Sequence, residues 1–115
     1  MIMTVYSVLK PLNIPVAFLK RPQFGTNKMA ISYHFFNESN ANYGDGKANK
    51  QGGALQVDVF SKTDYISTVN EIKTLLGSAN FMFSSGYDDI EKLSDSEQIY
   101  HKVLIFNYVE SEVIK

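Results

Sequence analysis

Residues 55–76, LQVDVFSKTDYISTVNEIKTLL, decide the fold class of this chain. Leu55, Val57 and Val59 alternate with Gln56, Asp58 and Phe60, the period-two pattern of a strand with two unlike faces. The period then changes. Tyr65, Ile66, Val69, Ile72, Leu75 and Leu76 recur at spacings of three and four, the apolar stripe of an amphipathic helix. Thr63 or Asp64 stands where a side chain caps the helix start, and Gly77 suits a left-handed stop, so a helix is predicted over about 64–76. Burying the stripe is worth roughly 1.5–3 kcal/mol per large side chain, which makes this helix the main core element.

Upstream, Thr4 is placed to cap a short helix over about 5–10, with Val5, Val8 and Leu9 on one side and Pro11 limiting its extension. The run PVAFLK at 15–20 reads as a short strand, and Pro15 at its start points to an edge position. Residues 28–36 form a second strand, with Met29, Ile31, Tyr33 and Phe35 facing one way and Ala30, Ser32, His34 and Phe36 the other. Residues 37–53, NESNANYGDGKANKQGG, hold a single aromatic residue, Tyr43, and are predicted to be a long flexible hairpin arm between antiparallel strands.

Downstream, residues 80–85 carry Phe81 and Phe83 and read as a strand, followed by an acidic loop over about 87–96. The last strand spans 99–109, with His101, Val103, Ile105 and Asn107 on one face and Tyr100, Lys102, Leu104, Phe106 and Tyr108 on the other. The whole chain, 1–115, is expected to be one domain. Strands in runs with two helices predict α+β, an antiparallel sheet of four to five strands with its helices largely on one face.

Composition narrows the chemistry. Apolar residues make up 44% of the chain, with 8 Phe and 7 Tyr, enough for a core without crosslinks. There is no cysteine, which excludes disulfides, cysteine-based zinc sites and thiol catalysis. The start, MIMTVYSVLKPL, lacks a basic stretch before its apolar residues and reaches Lys10 and Pro11 early, so no secretory leader is expected. No apolar run nears the roughly 20 residues that cross a bilayer, so a soluble protein with no membrane partner is expected.

No catalytic constellation emerges, and neither a cofactor nor a metal is expected. His34 and His101 share no ligand spacing and read as sheet-surface histidines. Asp88 and Asp89 are adjacent, which in extended chain turns them to opposite sides and ill suits a shared acid–base task. Asp45 sits in GDG, without the surrounding pattern of a phosphate loop. The strand YHKVLIFNY holds one Lys and the pI is about 6.1, which argues against direct nucleic-acid binding.

The charge is unevenly placed. Residues 1–36 hold Lys10, Lys20, Arg21 and Lys28 and no acid, while residues 88–97 hold Asp88, Asp89, Glu91, Asp95 and Glu97 against Lys92. Two readings fit: solvated loops, or segments that meet across a subunit boundary. On the second, Lys20, Arg21, Asp88, Asp89 and Glu91 are the candidate contacts, with Tyr43 docking the arm.

The junction ALQVDVFSKTDY with its helix, the early IPVAFLK and the final YHKVLIFNYVE resemble the small tail-completion proteins of long-tailed phages and prophages. These are also called tail-terminator, head–tail joining or minor tail proteins. The resemblance implies an antiparallel sheet flanked by helices that assembles as a ring, commonly a hexamer, and no catalytic residues. It further implies capping of the head-proximal end of the tail tube. Its partners would be further copies of itself, the major tail tube protein and a head-completion or connector protein, in the virion tail and, during assembly, the host cytoplasm. The alternatives are a neighbouring head-completion or tail-tube role, a monomeric binding or regulatory module of prophage origin, and a small enzyme.

Overall fold

The computed structural model describes residues 2–40, 50–92 and 98–111. In chain order these form helix α1 (Ile2–Leu9), a 3-10 turn (Lys10–Leu12), strands β1 (Val16–Phe18), β2 (Met29–Asn40) and β3 (Lys50–Ser61), helix α2 (Ile66–Ser78), and strands β4 (Met82–Lys92) and β5 (Gln98–Ser111). The architecture is α+β, a five-stranded sheet in the order β1-β2-β3-β5-β4.

The alternation at 55–60 sets the layers. Leu55, Val57 and Val59 pack in one core with Ile31 and Tyr33 of β2, Leu104 and Phe106 of β5, Val5 and Leu9 of α1, and Val69, Ile72 and Leu76 of α2. Both helices therefore cover the same face. Phe35 extends this core, 5.6 Å from Tyr108 and 6.2 Å from Phe18 between ring centroids.

The sheet is mixed, which corrects the antiparallel expectation. β2, β3, β5 and β4 are antiparallel in turn, but β1 runs parallel to β2, with Val16 opposite Ile31 and Phe18 opposite Tyr33. Residues 19–28 make the crossover this requires. They pass over the face opposite the helices, where the Arg21 guanidinium lies 5.0 Å from the centre of the Phe60 ring and 5.8 Å from that of Phe24.

Several boundaries also move. The hairpin arm expected over 37–53 contributes strand at both ends, since β2 continues to Asn40 and β3 begins at Lys50; residues 41–49, including Tyr43, lie outside the described residues. A register shift between Phe36 and Ser39 carries the ladder past Asn37, which takes a left-handed φ of 54°. The acidic loop is also corrected: β4 runs on to Lys92, so Asp88, Asp89 and Glu91 are strand residues paired with Lys102, His101 and Ile99 of β5. α1 begins ahead of Thr4, at Ile2. In α2 the Asp64 carboxylate accepts the Ile66 N–H at 2.9 Å, Ile66 itself is exposed, and the helix runs through Gly77 to Ser78. The left-handed residue behind it is Asn80, with φ of 71°.

Candidate functional site

The two edges of the sheet differ. β1 is a three-residue strand that ends in a corner, where Leu19 takes a φ of 74° and donates its N–H to the Tyr33 carbonyl at 2.8 Å. Leu19 is 69% exposed and Lys20 beside it is exposed as well. Arg21 follows, laid against the Phe60 and Phe24 rings.

The opposite edge, β4, is long and presents Met82, Phe83, Tyr87 and Ile90 in exposed positions. Outer strands with exposed apolar residues are templates for association, and charges on them limit it. Asp89 Oδ1 accepts the Ile90 N–H at 2.8 Å, which engages one amide of this outer strand with a side chain. Asp88 turns towards α2, where it accepts the Tyr65 hydroxyl at 2.5 Å and lies 3.3 Å from Lys102 Nζ, its cross-strand partner.

Each partner shifts the other's ionisation. The Asp88 carboxylate beside it, with partial burial, pushes Tyr65 up to about 12. Asp88 is held below its ordinary value chiefly by the Tyr65 hydrogen bond, which outweighs the opposing effect of desolvation, with further lowering by Lys102. Tyr65 and Tyr100 stand with ring centroids 6.2 Å apart and planes tilted by 56°. With Asp88, Asp89 and Ile90 they line an open hollow of about 450 Å³.

A second polar group lies on the face away from the helices. His101 Nε2 donates to Asp58 Oδ1 at 2.8 Å, and Gln56 Nε2 donates to the same carboxylate at 3.0 Å. Phe60, directly opposite His101, stacks on it at 4.4 Å between centroids. Asp58 is buried, and these hydrogen bonds offset its desolvation. His34 lies opposite Gln56 on the same face, beside the Phe36 ring. Among the described residues no three His, Asp or Glu side chains gather as metal ligands.

The candidate residues from sequence therefore fall at separate places. Asp88, Asp89 and Glu91 share β4, Lys20 and Arg21 follow β1 at the other edge, and Tyr43 is outside the described residues. Within one chain the structure brings Asp88 to Tyr65 and Lys102. Sequence reasoning missed Tyr65 and Tyr100 as surface-site residues, because both read as stripe or strand-face residues. It also missed Asp58–His101, a diagonal pair across β3 and β5. The strict alternation on both strands was the available signal.

No protein-family model matches the chain, and no curated protein matches it in sequence. Among the described residues no helix is long and apolar enough to cross a membrane.

Proposed function

We propose that this chain is a structural tail-completion protein of a long-tailed phage or prophage, one that self-assembles into a ring. The ring caps the head-proximal end of the tail tube and joins it to the head connector. It works through its surfaces, without catalysis or a cofactor. The motifs quoted from the sequence supply the family in this reading.

The observation that carries it is the contrast between the two sheet edges. The exposed Lys20 corner after β1 and the acidic outer strand with Asp88 and Asp89 lie at opposite ends of the order β1-β2-β3-β5-β4, while the Arg21 guanidinium reaches inward over Phe60 of β3. Two different and complementary surfaces are what a head-to-tail contact between copies requires, and such contacts close into rings when the rotation permits. The exposed apolar residues of β4 add area to that contact.

The test is tube length. Purified tail tube protein from the same phage, polymerising alone, gives tubes of unlimited length in negative-stain electron microscopy. Added in small molar ratio, this protein should sit at one tube end and halt growth there. Tubes that elongate equally with and without it, with bare ends, would rule the capping role out.

A further inference from the structure

We propose that the hollow between Tyr65 and Tyr100 receives the Lys20 ammonium of a neighbouring copy, carried in on the exposed Leu19–Lys20 corner. The inference rests on the self-assembly reading above and names the contact it uses.

The corner is built as a projection. A leucine at a φ of 74° occupies a region that side-chain-bearing residues seldom visit, and such outliers persist where surrounding structure holds them. Here the hold is the Leu19 N–H to Tyr33 carbonyl bond, 2.8 Å long. The result is an apolar side chain, 69% exposed, next to an exposed ammonium.

The hollow has the matching chemistry. Two tyrosine rings line the hollow, where an aromatic face can attract a cation, and Asp88 supplies negative charge at its rim, whereas the Asp89 side chain, opposite His101, lies towards the other face of the sheet. Lys102 offsets Asp88, and Asp64 at the helix entry is a second carboxylate acting on Tyr65. Ile90, 54% exposed, and Tyr100, 40% exposed, form an apolar border for Leu19.

The two features cannot meet within one molecule. They flank opposite edges of a five-stranded sheet, about 19 Å apart at the usual strand spacing of about 4.8 Å. Contact between copies that repeats in one direction through these two surfaces is heterologous, the kind that builds closed rings or open filaments. Phe18 is level with Gly86 across the registers, so the corner lies a few residues along the strands from Asp88–Ile90. Successive copies would be stepped by roughly 10–15 Å along the strands.

The chain has no cysteine, so introduced thiols are unique. Leu19→Cys and Ile90→Cys proteins, mixed under mild oxidation, should give a mixed disulfide well above that from Leu19→Cys with Thr74→Cys, a control on the exposed face of α2. Lys20→Glu should weaken self-association about tenfold in sedimentation equilibrium at low salt, and adding Asp88→Lys should restore it. If wild-type protein self-associates while Lys20→Glu associates equally, or the mixed disulfide does not exceed the control, this contact is wrong and the assembly reading stands. If wild-type protein shows no self-association at any concentration, both fall.

Discussion

The Tyr65 hydroxyl, at the entry to α2, donates to the Asp88 carboxylate on the outermost strand, β4, across a separation of 23 residues in the chain. Together with the Lys73 ammonium, 4.2 Å from the centre of the Phe83 ring, this bond ties the main helix to an edge strand whose neighbour in the sheet is β5. Because both groups titrate, the tie has a readable pH signature.

Tyr65 is raised to about 12, so the folded state favours the neutral phenol. Its contribution is complete below the ordinary tyrosine value of 10 and is lost as pH rises through about 12. Asp88 is lowered, so its contribution is present above 3.8 and is lost as pH falls through the folded value. Urea unfolding midpoints should therefore fall more steeply between pH 10 and 12 for wild type than for Tyr65→Phe, and the difference isolates Tyr65 from the other tyrosines. At neutral pH, Tyr65→Phe should cost about 0.5–1 kcal/mol, the usual worth of a charge-assisted bond discounted for exposure. Parallel pH profiles for the two proteins would show that the bond does not form in solution.

Val69 is buried in the α2 stripe and belongs to the shared core of helices and sheet. Val69→Asp places an unpaired carboxylate there, at a cost of about 4 kcal/mol or more, which for a domain of this size removes most of its stability. Circular dichroism melting should show loss of the cooperative transition. A melt superimposable on wild type would refute the helix placement.

Which parts of this fold could be read from sequence follows from the range of the forces involved. The faces of β2, β3 and β5 were legible because one side of each packs on helices, and burial imposes strict alternation. The reach of β4 was not. Asp88, Asp89 and Glu91 are poor strand formers on their own, and what carries the ladder through them is pairing with Lys102, His101 and Ile99 far along the chain. The parallel direction of β1 was equally hidden, since three residues and a following turn carry no mark of direction. Gly77 was the obvious helix stop, yet α2 passes it because Asn80 tolerates the left-handed turn that follows. In the candidate site, the acidic residues were visible as a charge run. Their tyrosine neighbours were not, because Tyr65 and Tyr100 meet only once α2 is laid beside β5.

Gly86 and Gly77 offer a paired test of that geometry. A Cβ on Gly86 would stand 2.7 Å from the Val103 carbonyl oxygen, a backbone atom that moves only if β4 and β5 separate. Gly86→Ala should cost about 1–3 kcal/mol in urea denaturation, in line with overpacking elsewhere. A Cβ on Gly77 meets nothing, and the position is helical, so Gly77→Ala should stabilise by about 0.4–1 kcal/mol. Equal effects of the two substitutions would contradict the close approach of the outer strands.

Asp58 and His101 hold the other face of the sheet together. The carboxylate can only accept, so the imidazole presents its proton on Nε2, and stacking on Phe60 at 4.4 Å fixes the ring plane. Asp58→Ala would remove the acceptor that the His101 Nε2–H and the half-buried Gln56 amide share, at about 1–3 kcal/mol. Asp58→Asn retains an acceptor for the imidazole, while the Gln56 amide can turn its oxygen to the new donor, so its loss should be less than half as large. Chemical denaturation of the three proteins measures the ordering, and a thermal-shift titration with divalent zinc checks the same residues for ligation. Equal destabilisation by Asn and Ala would mean that the charge of Asp58 matters more than its geometry.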